Sequence, residues 1–182
     1  MNRSLITLLY CWICFTATSQ TLNLDSLDNA IKTQQRALIG KPFFFLELTT
    51  LTGELITPAI LKGKIVVYNL WFTACSPCVA EIPALNKLKA SYREGVEFIG
   101  LTFNFKEDLT RFLKANPFEF KIVSIPRRDL ESKISFAYPT TVIVNKKGKI
   151  IYLESGGSVD PTKADAAIQE TVKPVIDRAL SE

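Results

Sequence analysis

Three patterns in the sequence predict an α/β fold with a mixed central β-sheet flanked by helices. Residues 65–70 and 96–103 are near-continuous apolar runs rich in β-branched side chains, which is typical of buried parallel strands. A helical pattern at 77–92 lies between them and completes a βαβ unit. Two shorter apolar runs then flank a Lys-Lys-Gly-Lys turn, which indicates an antiparallel hairpin. A parallel beginning and an antiparallel end give a sheet of mixed direction.

In the first half of the chain, turn residues and apolar periodicity predict the secondary-structure elements. Residues 20–38 are loosely amphipathic and indicate a short helix or an ordered lead-in. The aromatic run 43–48 predicts a strand, and a turn at Thr52-Gly53-Glu54 predicts its return over 54–57. The helix at 77–92 repeats apolar residues at three-residue steps, and we expect Pro83 to bend it.

The second half continues the alternation of helices and strands. We predict a helix at 106–115 that stops at Asn116-Pro117, because proline disfavours helix in the residue before it. The remaining predictions are a strand at 118–124, a short helix at 129–136, hairpin strands at 141–144 and 150–154, and a final helix at 161–180. We expect Pro174 to kink that last helix, since it removes a backbone donor.

Composition excludes several classes of function. The chain has 182 residues, 47% hydrophobic and 22% charged, as expected of one globular domain. Its net charge of +4 comes without a basic run, so we expect no nucleic-acid binding. It contains no histidine, which excludes Ser-His-Asp and Cys-His catalysis and any metal site that needs imidazole. We expect neither a metal nor a cofactor.

The N-terminus has the pattern of a secretory signal peptide. Arg3 precedes an apolar run at 5–17, and small residues stand at Ala17 and Ser19, so we predict cleavage near Ser19-Gln20. The alternative is a retained membrane anchor, although the run is shorter than the ~20 residues that a spanning helix needs. We therefore divide the chain into a signal peptide at 1–19, a lead-in at 20–39 and one domain at 40–182. We expect a periplasmic or otherwise exported protein without stable membrane insertion.

The motif that carries chemistry is Cys75-Ser76-Pro77-Cys78, between a buried strand and a helix. Unpaired N–H groups and the helix dipole would stabilise a thiolate at Cys75, and a thiolate is the form that attacks disulfides. Cys78 lies one turn further on, placed to resolve a mixed disulfide. A structural disulfide, half of a zinc site and two inert thiols are the alternatives. Cys11 and Cys14 have the same spacing but fall inside the predicted signal segment, and we interpret that spacing as a coincidence.

The stretch 69–83 resembles the active-site segment of thioredoxin-fold proteins, above all the exported TlpA-like and ResA-like thiol–disulfide oxidoreductases. Trp71, Glu81 and Pro83 match the pattern around the family's two cysteines. The Tyr138-Pro139-Thr140 loop is similar to the family's cis-proline loop. The resemblance covers 40–158 and implies a thioredoxin-like fold with an N-terminal strand extension and a central insert at 106–136.

The resemblance also implies roles for the site residues. Cys75 would be the nucleophile and Cys78 the resolving cysteine, and the two would form a disulfide. Glu81 would relay protons, or else be a solvated helix carboxylate. Many thioredoxins carry a buried aspartate where this chain has Asn69, which cannot titrate. The substrate-binding residues would be Trp71, Ser76, Pro77, Tyr138 and Pro139. The alternatives are that Trp71 is only a wall and core residue and that Pro139 is an ordinary turn proline.

The resulting hypothesis is a reductant of disulfides in exported proteins, itself re-reduced by a membrane thiol carrier. General redox homeostasis and cytochrome c maturation are both open. Ser76 and Pro77 place no cation between the cysteines, which favours a reductant over a strong oxidant. A thiol peroxidase is one alternative, but Phe72 and Tyr68 stand where peroxidases of this fold place Thr or Ser and Pro. The other alternative is a non-catalytic docking module.

Overall fold

A mixed β-sheet lies at the centre of the computed structural model, which describes residues 24–43, 45, 47–134 and 137–182. Within these residues the elements follow the predicted alternation of strands and helices. In chain order they are α1 (Leu24–Leu38), β1 (Leu48–Thr49), β2 (Leu55–Ile56), α2 (Pro58–Leu61), β3 (Ile65–Leu70), α3 (Ser76–Ala90), β4 (Val96–Thr102), α4 (Lys106–Ala115), β5 (Lys121–Ser124), α5 (Arg127–Lys133), β6 (Thr140–Val144), β7 (Ile150–Ser155), α6 (Pro161–Ala167), a π turn (Ile168–Val172) and α7 (Lys173–Ser181).

The sheet has the strand order β5-β4-β3-β6-β7. Strands β3, β4 and β5 run parallel, while β6 is antiparallel to β3 and β7 is antiparallel to β6. The prediction of a mixed central sheet is therefore confirmed. All six residues of β3 are buried, which explains why this strand is a continuous apolar run rather than an alternating one.

Two apolar cores cover the two faces of the sheet, because successive strand side chains point to opposite sides. Ile65 and Val67 face the core shared with α3, the π turn and α7. Val66, Tyr68 and Leu70 face the other core, which includes Leu130 of α5. With β3 buried on both faces, its carboxyl end, where the cysteines follow, is held from both sides.

Aromatic residues shorten two of the predicted strands. The predicted strand 43–48 is wrong at the described residues Phe43, Phe45 and Glu47, which lie outside regular strands, and β1 begins at Leu48. Phe43 instead packs its ring on Tyr68, with ring centroids 5.1 Å apart. The predicted strand 118–124 begins only at Lys121, because Phe118 and Phe120 turn their rings into the core.

The predicted helix 129–136 starts earlier, at Arg127, and its last two positions lie outside the described residues.

The final helix changes its hydrogen bonding just before Pro174. The π turn at Ile168–Val172 ends where the Lys173 N–H donates to the Ile168 carbonyl, five residues back. Proline cannot donate a hydrogen bond, and a wider turn re-pairs the neighbouring carbonyls. The irregularity predicted at Pro174 therefore takes the form of a π turn. Helix α3, by contrast, continues through Pro83 from Ser76 to Ala90.

Segments from outside the five-stranded sheet lie along both of its outer strands, β5 and β7. On β5, the Leu51 N–H donates to the Ile122 carbonyl at 2.8 Å, and Thr50 forms a bridge with Val123. On β7, the Gly40 N–H donates to the Ile150 carbonyl at 2.8 Å. Helix α1 also packs against β7. The segments before β2 and before β1 thus border the two edges of the sheet.

The predicted signal peptide at 1–19 lies outside the described residues, as do Cys11 and Cys14. In the part of the chain that the structure describes, no helix combines the length and apolarity that crossing a bilayer requires. The domain boundaries drawn from the sequence remain predictions.

Candidate active site

Cys75 and Cys78 form a disulfide at the N-terminus of α3, which follows β3 in the chain. Cys75 is the N-cap of α3, and its sulfur accepts a hydrogen bond from the Cys78 backbone N–H at 3.3 Å. Pro77 occupies the first helical turn, where its missing donor would have had no partner. The Cys75 sulfur therefore lies at the positive end of the helix dipole, where a thiolate formed on reduction would be stabilised.

The two sulfurs differ in their access to solvent. Cys75 is 6% exposed and Cys78 is 1% exposed, while Ser76 is exposed and Pro77 half-buried. Of the two sulfur-bearing residues, Cys75 is therefore the one with more contact with solvent, as expected of the residue that an incoming thiol or disulfide would meet first.

Asn104 fixes the loop that leads to Cys75, and no sequence motif indicates this role. The Thr73 N–H donates to Asn104 Oδ1 at 2.9 Å, and Asn104 Nδ2 donates to Thr73 Oγ1 at 3.0 Å. Thr102, at the end of β4, donates from its hydroxyl to the same Oδ1 at 3.0 Å. One side chain therefore ties the loop after β3 to the end of the neighbouring strand.

We expect Asn104→Ala to slow the reaction of Cys75 as well as to lower stability. Losing these hydrogen bonds should reduce the free energy of unfolding by about 1 to 3 kcal/mol. Asn86→Ala is the matched control. The Asn86 amide also joins two segments by hydrogen bonds, since it donates to the Pro117 carbonyl and accepts from the Glu119 N–H, but it lies away from the cysteines. Urea unfolding measures stability, and the rate of alkylation of the reduced protein measures reactivity. Equal alkylation rates in the two variants would contradict a positioning role for Asn104.

Trp71 forms the wall behind the cysteines. Its side chain has no exposed surface, and it packs on Phe118 and Phe112 with ring centroids 5.4 and 5.6 Å apart. A Cβ at Gly100 would lie 3.1 Å from the indole nitrogen and 2.7 Å from Ile122, so the small residue makes room for the ring. This burial fits the alternative in which Trp71 is a wall residue, and a contact with substrate stays a prediction.

The loop around Pro139 lies in space beside the segment that leads to the cysteines. The Tyr138–Pro139 peptide bond is cis, and the Gly156 N–H donates to the Pro139 carbonyl at 2.8 Å. A Cβ at Gly157 would lie 2.9 Å from Pro139 Cγ, so a side chain there would displace the loop. The ring of Tyr138 lies against Phe72, just before the cysteines, with centroids 5.4 Å apart. The structure thereby joins the two segments that the sequence motifs singled out.

An aromatic cluster that sequence reasoning missed borders this junction. Phe72, Phe103 and Tyr138 contact one another with centroid distances of 5.3 to 5.7 Å. The guanidinium of Arg127 lies over the Phe103 ring at 5.0 Å. These residues come from just after β3 and β4, from the start of α5 and from the loop before β6. No local pattern could therefore have linked them.

Glu81 is buried beside the sheet rather than solvated. Its side chain is 7% exposed, and Oε1 accepts a hydrogen bond from Asn69 Nδ2 at 2.8 Å. Burial raises the pKa of Glu81 from 4.5 to about 7, although the hydrogen bond from Asn69 opposes the shift. The alternative of a solvated helix carboxylate does not hold. A carboxyl that titrates near neutral pH, one helical turn after Cys78, can accept or supply a proton there.

The described residues contain no group of three or more His, Cys, Asp or Glu side chains that could hold a metal ion. The arrangement brings together two sulfurs and, one helical turn further on, a buried carboxyl. A dithiol at this position can pass two electrons to a disulfide through a mixed-disulfide intermediate.

Comparisons with known proteins agree with this chemistry. A model of the Redoxin family matches residues 23–168. The thiol-disulfide oxidoreductase ResA of Halalkalibacterium halodurans is 31% identical over 86% of this chain and 89% of its own length. The thiol:disulfide interchange protein DsbE of Haemophilus influenzae is 30% identical over 100% of this chain and 99% of its own.

A solved structure supports the fold. The crystal structure of a thiol:disulfide interchange protein of the thioredoxin family from Chlorobium tepidum superposes with a TM-score of 0.61. The match covers 78% of this chain and 96% of that one at 18% sequence identity, so it concerns the fold alone. The predicted thioredoxin-like fold is confirmed.

Proposed function

The chain belongs to the Redoxin family, and we propose that it is a thiol–disulfide oxidoreductase that reduces disulfides of exported proteins. One observation carries the proposal: the Cys75–Cys78 disulfide caps α3, with the less buried sulfur at the helix N-terminus. A short disulfide of this kind restrains the unfolded chain little, which argues against a structural role. Its position favours repeated opening and closing.

The proposed reaction has two exchange steps. The Cys75 thiolate attacks one sulfur of the substrate disulfide, forms a mixed disulfide and releases the other sulfur as a thiolate. Cys78 then loses its thiol proton to Glu81 and attacks Cys75, which breaks the mixed disulfide and releases the second substrate sulfur. Two electrons pass from the dithiol to the substrate, and both released thiolates take up protons.

The surface around Cys75 suits an extended protein segment. In this proposal Ser76 and Pro77, next to the sulfur in sequence, form one wall, and the Tyr138-Pro139 loop forms the second; the contact of the Tyr138 ring with Phe72 supports that placement. The half-buried rings of Phe72 and Tyr138 offer apolar contact beside it. We propose that a substrate chain lies between these walls, with its backbone along the Pro139 loop.

The finer parts of the function rest on the sequence. Export follows from the signal pattern at 1–19, with cleavage near Ser19. The reducing direction follows from the absence of a cation between the cysteines, and it requires a membrane thiol carrier to return electrons. Within that scheme, cytochrome c maturation and general thiol repair are the two candidate tasks.

We expect the purified protein to catalyse the reduction of insulin by dithiothreitol. Turbidity from the precipitating chain measures the rate, and the reaction without protein is the control. The reduced protein should not consume hydrogen peroxide at a comparable rate, because apolar Phe72 and buried Tyr68 occupy the positions where a peroxidase would bind peroxide. Peroxide turnover without insulin reduction would reject the proposal in favour of the peroxidase.

A further inference from the structure

A cavity of about 420 Å³ lies at the amino end of β3, whereas the cysteines follow the carboxyl end of that strand. Residues of α2 and of the turn between β6 and β7 line it, together with the buried side chains of Phe43, Val66 and Val144. Val66 and Val144 are direct neighbours in the sheet. Cavities that hold small molecules measure roughly 300 to 1,000 Å³. The cavity is therefore a ligand-sized space that the proposed redox reaction does not use.

The charged residues around this cavity are all of one sign. In the described part of the chain its lining contains no acidic side chain and four lysines, namely Lys62, Lys64, Lys146 and Lys147. The Lys64 ammonium is paired with Glu97 at 2.6 Å, and the Lys146 ammonium donates to the Leu180 carbonyl at 2.9 Å. Lys62 and Lys147 are exposed, and neither forms an ion pair with any residue that the structure describes. Two ammonium groups are thus available to an anion.

Tyr68 adds a hydroxyl to the apolar part of the lining. The residue is 1% exposed, and the rings of Phe43 and Phe45 pack on it with centroids 5.1 and 6.1 Å away. Its hydroxyl has no hydrogen-bond partner among the described residues, and burial raises its pKa, so the group stays a neutral donor. Leaving a buried donor unpaired is costly. A ligand that brings an acceptor into the cavity would remove that cost.

We propose that this cavity binds a small amphiphile of the fatty-acid type, with one apolar chain and one carboxylate. The apolar side chains would cover the ligand's chain, and Lys62 and Lys147 would pair with its charge. A carboxylate suits both polar features, since it forms charge-assisted hydrogen bonds with ammonium groups and accepts hydrogen bonds from hydroxyls. The cavity is separate from the cysteines, so binding would be independent of the proposed redox reaction.

Titration of the isotope-labelled protein with decanoate, below the concentration at which decanoate forms micelles, measures binding by nuclear magnetic resonance. We expect saturable shifts of the backbone amide signals at 61–66 and 144–148, which include the lining, and none at the cysteines. Octanoate should bind roughly tenfold more weakly, because each buried CH₂ adds several-fold to affinity. Decanol, which has the same chain without the charge, should also bind about tenfold more weakly.

Two pairs of variants locate the site. Lys62→Gln with Lys147→Gln removes the available charges, and Lys41→Gln with Lys149→Gln removes the same net charge at exposed positions outside the lining. We expect only the first pair of substitutions to weaken decanoate binding, by about tenfold or more. Insulin reduction should be native in both proteins, which verifies that they fold.

The second pair of variants fills the space. Ala59→Phe places a ring in the lining, whereas Ile60→Phe, at the next and also exposed position, lies outside it. We expect Ala59→Phe alone to weaken decanoate binding, again by about tenfold. The proposal would be overturned by equal affinities within either pair or by the absence of saturable shifts. Binding to phosphatidylglycerol vesicles without saturable binding of decanoate would also overturn it, in favour of a membrane-binding surface.

Discussion

Cys78→Ser should convert the protein from a catalyst into a trap that stays joined to its substrates. The first exchange needs only Cys75, whereas release needs the second sulfur. We expect insulin reduction to fall by at least about 10³-fold, the scale seen when one member of a unit of catalytic groups is removed. The fold should persist, since the Cys78 backbone N–H rather than its side chain donates to Cys75.

Non-reducing electrophoresis of the tagged Cys78→Ser protein, recovered from cells, measures the trapped complexes. Cys75→Ser is the matched control, because serine also caps a helix N-terminus well but cannot form a mixed disulfide. We expect bands that disappear on reduction with Cys78→Ser and none with Cys75→Ser. Similar bands from both variants would mean that Cys75 is not the attacking sulfur. The identity of the trapped proteins would decide between cytochrome c maturation and general thiol repair.

Glu81→Gln should change both the pH dependence of the reaction and that of stability. Glutamine can keep the hydrogen bond from Asn69 but cannot take a proton from Cys78. We expect the release step to slow by roughly 10² to 10⁴-fold, the usual contribution of a general acid or base. Its rate should also lose the rise with pH that a carboxyl with a pKa of about 7 imposes on the native protein. The second release of thionitrobenzoate from Ellman's reagent reports this step.

The effect on stability has a definite sign. The pKa of Glu81 rises on folding from 4.5 to about 7, so between these values the folded state binds more protons than the unfolded state. Stability of the native protein therefore falls as pH rises through this window, by an amount on the order of 3 kcal/mol. Below pH 4.5 the two proteins should be similarly stable, and above pH 7 Glu81→Gln should be the more stable.

Urea unfolding at several pH values measures this difference, because contributions from other groups cancel between the two proteins. Glu94→Gln, at an exposed position, is the control and should leave the pH dependence unchanged. If Glu81→Gln and the native protein lost stability in parallel between pH 4.5 and 7, Glu81 would not be the buried carboxyl that the structure places beside Asn69.

The elements that position the cysteines could be predicted from sequence because their signals are local. A continuous β-branched run gave β3, and a helical period beginning at Pro77 gave α3. The contacts that complete the site could not be predicted in this way. Asn104 and Gly157 act on Thr73 and Pro139 across long stretches of chain, and an asparagine or a glycine alone does not indicate a partner.

Aromatic residues explain the main errors in the predicted strands. Phe43, Phe118 and Phe120 belong to a residue type with a high preference for strands, but in the structure each buries its ring in the core from a position outside a regular strand. Whether Glu81 is exposed could not be predicted from the sequence, because the answer also depends on tertiary packing. A carboxylate on a helix is usually solvated, and only the packing of α3 on the sheet and α6 buries this one.

The covered outer strands have a consequence for aggregation. An open sheet edge invites added strands and therefore aggregation. Here the residues at 50–51 lie along β5, and those at 40–42 pair with the start of β7 while α1 packs against that strand. A strand from another molecule would have to displace these segments before it could extend the sheet, and we expect a protein without residues 24–42 to aggregate faster, as measured by light scattering.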